Sequence, residues 1–414
     1  LRLSAAGSRA VERGDPRAAT RSLQRAASLA HDPGARAAIR LRLCNALGDA
    51  ADTEGYEATM KAGLADALAA GDDRIRTRFE HLQTTHALLR DPSAVPIQDV
   101  IARLTAQAEA LETLGDAEGV AECHYQLATV AWIRGDAAEF ERWARRSRDD
   151  AVVCGNARLV GRATSYVIVA LLRGPTPLPD ALVELRAMRE TTELSASAGS
   201  GVRLGEAEML AYLGRPDEAR ALADAAAAEL DELGARVELA AAESVRAIVA
   251  DVRGDLEGAE RALRSSYDRF RAMEDAANGG LIAVDLADVL ARLGRHSEAE
   301  SMASIAAGLA ADFDVEAQVG WRTASARARS ALGDADGALR LVAEATERLE
   351  ASDFTMLRAD SMSAMADVFA SLGQRAEAIE RLEEARRIYA AKGQLIGERR
   401  AADRLGELTA TQST

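Results

Sequence analysis

Seven glycines punctuate this chain at almost fixed intervals: Gly135, Gly174, Gly214, Gly254, Gly294, Gly333 and Gly373. Each follows a Leu or an Arg, as at Leu213-Gly214 and Arg253-Gly254. A period of about 40 residues is one supersecondary unit repeated in a stack. Each unit buries its apolar face only against its neighbours, so 414 residues need not divide into separate globular cores. A stacked array presents surface more readily than it builds an enclosed active site.

Residues at fixed offsets from the glycines identify the unit. Seven before stand Ala128, Ala207, Ala247, Ala287, Ala326 and Ala366, with Val167 as the exception. Five after stand Ala219, Ala259, Ala299, Ala338 and Ala378, and twelve after stand Ser147, Ala226, Ser266, Ala306, Ala345 and Ala385. Small residues at three fixed points let paired helices approach closely, while leucines such as Leu372 and Leu382 fill the remaining volume. Small residues at these offsets around a glycine turn resemble the tetratricopeptide repeat (TPR) pattern, with helices lengthened to suit the long period. The expected fold is all-α, a right-handed α-solenoid of about ten TPR-like helical hairpins plus a C-terminal capping helix.

Organisation along the chain follows the clarity of the repeat. Residues 1–414 read as a single solenoid, with less regular repeats over 1–115, regular 40-residue repeats over 116–393, a capping helix over 394–410 and a disordered tail at 411–414. Gly14, Gly48-Asp49 and Arg90-Asp91-Pro92 mark the early turns. The second turn of each unit falls near Gly71, Gly115, Gly155, Gly234, Asp275, Asp314, Asp353 and Gly393, where Gly suits a helix stop and Asp an N-cap. Prolines in Asp91–Pro96 and Gly174–Pro179 are placed to open the following helix. Ser195–Gly205, short of anchoring apolar residues, reads as a flexible joint. The chain opens inside what reads as helix, so a piece of a longer protein is expected.

Charge and motif content exclude several functions. A net charge of −15 argues against nucleic-acid binding, which needs a basic stripe. Clusters such as Arg142/Arg145/Arg146/Arg148 are interleaved with acids and read as salt-bridged surface. No apolar run approaches the length of a membrane-spanning helix, so no span is expected. Three scattered cysteines fit a reducing cytoplasm. Cys123-His124 and His81/His86 have poor spacing for a metal, and Gly199-Ser200-Gly201 follows no strand and reads as an inter-helix turn. There is no phosphate-binding loop, nucleophile elbow or His-Glu-x-x-His. No enzyme, cofactor or metal site is expected in this chain.

The stretches GPTPLPDALVELRAM (174–188), LGRPDEARAL (213–222), RGDLEGAERALRSSYDRFRAM (253–273), DFDVEAQVGWR (312–322), DFTMLRADSMSAMADVF (353–369) and RIYAAKGQLIGERRAADRLGEL (387–408) carry a further resemblance. Together they resemble the C-terminal TPR region of actinobacterial-type multidomain signalling ATPases, in which a cyclase or LuxR-type DNA-binding domain accompanies a STAND-like ATPase. The cyclase carboxylates and ATP-binding loop have no counterpart here. The resemblance implies a sensing or assembly arm whose partner is a protein, a peptide or its own upstream domains.

In a TPR stack the first helix of each pair lines the concave face, at thirteen, ten, six and three residues before the glycine. These offsets select Asp360 and Asp367, Arg327, Asp288 and Asp251 as charged candidates, and Tyr125 with Trp132 as an aromatic patch. One reading is plain solvated surface. The other is a groove for a basic or amphipathic peptide, or for an apolar ligand near the aromatics. Self-association into a homo-oligomer is the alternative function, and binding of a small-molecule inducer in an apolar pocket a more distant one.

Overall fold

The structure, a computed structural model, describes residues 2–12, 16–50, 52–90, 95–192 and 194–410. Every regular element among them is an α-helix. Three hairpins come first: α1 (Arg2–Glu12) with α2 (Pro16–Leu29), α3 (Pro33–Asp49) with α4 (Thr53–Ala70), and α5 (Asp73–Arg90) with α6 (Ile97–Thr113). Then follow α7 (Ala117–Arg134) with α8 (Ala137–Cys154), α9 (Ala157–Arg173) with α10 (Leu178–Thr191), and α11 (Ala196–Tyr212) with α12 (Pro216–Leu233). The last four pairs are α13 (Arg236–Val252) with α14 (Leu256–Ala272), α15 (Ala276–Arg292) with α16 (His296–Leu309), α17 (Val315–Ala331) with α18 (Ala335–Glu350), and α19 (Thr355–Ser371) with α20 (Arg375–Lys392). A single helix, α21 (Leu395–Ala410), ends the array. This is an all-α solenoid of ten TPR-like hairpins and a final helix. The turns expected at Gly14 and at Asp91-Pro92, and the tail 411–414, lie outside the described residues.

The small residues are where the helices touch. Ala207, Ala287, Ala326 and Ala366 on first helices, and Ala219, Ala259, Ala299, Ala338 and Ala378 on second helices, are all essentially solvent-free. At the third offset Ser266 keeps its backbone approach and also donates Oγ to Ala240 O (2.8 Å), as Ser147 does to Ala121 O (2.9 Å). Such contacts have no room for three more carbons. Ala287→Leu should therefore cost on the order of 1–3 kcal/mol by overpacking, read as a lowered denaturant midpoint with unchanged helicity.

Turn chemistry divides in two. Gly214, Gly254, Gly294, Gly333 and Gly373 take φ between +74 and +90°, a conformation that costs other L-residues free energy and that stops the first helix. The Gly174 turn differs, with its N–H bonded to Ala170 O at 2.8 Å and Pro177 at the N-cap of α10. At the second turns Asp275 and Asp314 cap α15 and α17 as expected, accepting from Asn278 N and Ala317 N. Asp353 does not cap α19, whose N-cap is Phe354; its side chain accepts instead from Ala137 N.

Ser195–Gly205 is helix rather than a joint. Ser195 caps α11 by accepting from Ala198 N, and Ser200 and Gly205 are buried. The small residues serve proximity: a Cβ on Gly205 would stand 2.5 Å from Ile168 Cγ2, and one on Gly161 3.3 Å from Ala198 Cβ. Low side-chain volume suggests freedom in an isolated segment, whereas here it permits close packing. For the same reason Gly199-Ser200-Gly201 lies within the helix and is no inter-helix turn.

The chain forms two compact units, Leu1–Leu127 with Arg146–Val160, and Ala128–Arg145 with Gly161–Thr414. The first is held by small clusters around Leu23, Leu43 and Leu47 and around Met60, Ile75 and Phe79. Its Arg78 guanidinium is enclosed by Asp116, Glu118 and Glu122 at 2.9–3.6 Å. The second winds through a turn that closes on itself. Asp353 N donates to Gly135 O at 3.0 Å. Ser352 Oγ donates to the same oxygen at 2.9 Å, across a sequence separation of 217. Lys392, at the end of α20, donates Nζ to Leu171 O, Gly174 O and Thr176 O at 2.6–2.7 Å. Trp132, Phe140 and Phe354 stack edge-on at the seam, with centroids 4.8–6.3 Å apart.

Candidate functional site: the inner face of the second unit

Because the turn closes, the first helices of successive hairpins face one another across its interior, and the odd-numbered helices from α9 to α21 contribute their inward side chains. Four of the five charged candidates meet there in one circuit. Asp251 (α13) takes Arg292 (α15) at 2.5 Å, and Arg292 also reaches Asp288 one turn earlier at 3.6 Å. Asp288 pairs with Arg327 (α17), which reaches Asp367 (α19) at 3.5 Å. Asp367 then takes Arg404 (α21) at 3.5 Å, and Arg400, one turn earlier on α21, returns to Asp251 at 2.9 Å. Signs alternate around this path except where Arg404 and Arg400 share α21. Burial works against the Asp288 carboxylate, but Arg327 and Arg292 hold it below the usual range.

The fifth candidate, Asp360, belongs to a second cluster. It accepts from Tyr389 OH at 2.7 Å. Its cluster centres on Arg173 (α9), which has Asp360, Glu208 and Tyr212 (α11), Asp285 (α15) and Glu316 (α17) within electrostatic reach. Arg173 lies 3.7 Å from Glu316, and Arg173 and the Tyr212 hydroxyl both favour the charged form of Glu208. Burial raises the pKa values of Glu208, Glu316 and Asp360, and pushes Asp285 up to about 7. Asp285 is nevertheless exposed to solvent and carries no ion pair among the described residues. Leu172, Leu178 and Met356 add an apolar edge where Arg173, Glu208, Tyr212, Asp360 and Gln394 border a small recess.

The aromatic candidates are engaged in packing. Tyr125 is buried in the first unit. Trp132 belongs to the second, half-buried between Phe140 and Phe354. Cys123 lies 3.4 Å from His81 Nδ1, while His124 bonds Asp150 at 2.7 Å. Burial pushes the Cys123 thiol up to about 12, far from nucleophilic use at neutral pH. Among the described residues no three His, Cys, Asp or Glu side chains converge as a metal site would require, and no helix is long and apolar enough to cross a membrane.

Counting back from the glycines found part of this face. Glu208, Asp288, Arg327 and Asp367 all stand six before their glycines, so Glu208 obeys the rule already applied to the other three. Arg173 and Arg292 sit one and two before theirs, outside the pattern. Arg400 and Arg404 lie on α21, which has no following glycine to count from.

No protein-family model matches the chain, and no curated protein matches it in sequence. Solved structures do. A Rap protein complexed with Competence and Sporulation Factor is 13% identical, with 91% of this chain and 98% of that chain covered and a TM-score of 0.48. The human IFIT1 dimer with PPP-AAAA is 14% identical, with 98% and 89% covered and a TM-score of 0.48. A signal transduction ATPase with numerous domains (STAND) and a tetratricopeptide repeat sensor, from Pyrococcus horikoshii, is 9% identical over 90% of this chain and 52% of its own, with a TM-score of 0.39. At such identities the likeness is one of chain course alone.

Proposed function

We propose that this chain is a non-catalytic interaction module, the sensing or assembly arm of a larger signalling ATPase or transcriptional regulator, and that the inner face of its second unit receives a basic segment of protein. The supporting observation is the charge imbalance around Arg173. One guanidinium faces Glu208, Asp285, Glu316 and Asp360 on a wall that solvent reaches. An incoming ammonium or guanidinium lowers the cost of ionising these carboxyls, so their strained electrostatics become binding free energy. The Phe-, Trp- and Tyr-lined seam is filled by its own side chains, which disfavours an apolar inducer there. The net charge of −15 sets the same preference at long range and opposes nucleic acid.

The test is titration of an arginine-rich peptide into the whole chain by calorimetry. Asp288 and Asp367 are poor choices for mutation, because both hold Arg327 and their joint loss would strand it. Glu208→Gln with Asp285→Asn leaves the circuit intact and should weaken binding by about tenfold at low salt, with the difference shrinking as salt rises. Affinity unchanged by the double substitution would remove this face from consideration. The same preparation is expected to show no ATP hydrolysis.

A further inference from the structure

Resting on that reading of the inner face, we propose that α21 is a displaceable wall of that face, and that the partner is an amphipathic helix carrying two arginines four residues apart, which takes its place. The observations are geometric. Arg400 and Arg404 lie one turn apart on one face of α21. Arg400 donates Nη1 to Asp251 Oδ2 (2.9 Å) and Nη2 to Asp251 O (3.0 Å), on a helix 149 residues earlier. Arg404 meets Asp367 on α19. The pair therefore spans helices α13 and α19, which belong to hairpins far apart in sequence, and α21 also touches α11.

Charge complementarity sets the chemistry of the exchange. Without α21 the circuit keeps Asp251, Asp288 and Asp367 against Arg292 and Arg327 alone. It is then one guanidinium short, on the same wall where Arg173 is already outnumbered. Any replacement must supply cationic forks at the spacing α21 supplies. The chain's hold on α21 is divided: Ala401 and Leu405 are buried against the array, whereas Arg400 and Arg404 are nearly half exposed at their ion pairs. Exposed pairs contribute weakly and are salt-sensitive, so a competing helix meets a modest barrier at this contact.

The experiment uses the full chain and its own helix as probe. A peptide of residues 394–410 is titrated into the wild-type chain and into Arg400→Gln/Arg404→Gln, with amide exchange followed across α21. Asp251 and Asp367 keep Arg292 and Arg327 in the variant, and a single cooperative melt with protection retained in α13 to α20 confirms that the rest of the array is folded. The expected result is at least tenfold tighter peptide binding to the variant, loss of exchange protection in α21, and no binding of a peptide with both arginines changed to glutamine. Equal affinity for the two chains overturns the exchange of α21 alone. No binding to either chain overturns the basic-segment reading of the inner face together with it.

Discussion

Phe140→Ala should lower the stability of the second unit by about 3–5 kcal/mol, among the largest single effects this chain offers. The ring is 1% exposed and stands 5.0 Å from Trp132, 5.4 Å from Tyr166 and 6.3 Å from Phe354, in tilted or edge-on geometries. It belongs to α8, Tyr166 to α9 and Phe354 to the entry of α19, so one side chain joins the fourth, fifth and tenth hairpins. Removing it forfeits burial and leaves a void that rigid helices cannot close. A nearest-neighbour array would confine the damage to adjacent hairpins. Here amide exchange should rise in α19 as well as in α8 and α9. Increased exchange restricted to α8 and α9 would show that the seam does not couple them.

That distinction marks what could be read from the sequence. Ala207, Ala287, Ala326 and Ala366 recur at one offset because every hairpin solves the same packing problem, and recurrence makes a local contact visible without a partner alignment. The same logic reached Asp288, Arg327 and Asp367, six residues before their glycines. It failed for contacts made once. Asp353 was legible as a helix cap by its place in the repeat, yet it serves the distant Gly135 turn, bonding Ala137 N across a sequence separation of 216. Trp132 was legible as an aromatic on an inner helix, but not as the neighbour of Phe354. Ser195–Gly205 shows a different limit. Small residues favour mobility in isolation and tight packing in context, and only the position of Ile168 distinguishes the two. Nor does the repeat say how many hairpins complete a turn, and that number decides which inward charges meet.

Lys392 is the sharpest case of a contact made once. One of only two lysines in an arginine-rich chain, it is 1% exposed, and its three ammonium protons match three carbonyls, of Leu171, Gly174 and Thr176. Arginine's planar fork cannot point three donors at three converging acceptors, which gives this position a reason to be lysine. Lys392→Met keeps the stem and strands the carbonyls at the end of α9 and in the turn to α10. The cost should be about 3–5 kcal/mol, seen in denaturant melts. The pH dependence separates the ammonium from mere packing. Burial lowers its pKa from 10.5 to about 8, against Glu141, which raises it, and with Arg173, which lowers it further. Between about pH 8 and 10.5 the unfolded chain thus binds more protons than the folded one, and this lysine's contribution to stability rises with pH across that window. The stability difference between wild type and Lys392→Met should therefore widen between neutral pH and pH 10, because every other titrating group is common to both. A difference independent of pH would mean that the ammonium titrates as it does in the unfolded chain, and that the carbonyl cage fully offsets the loss of water.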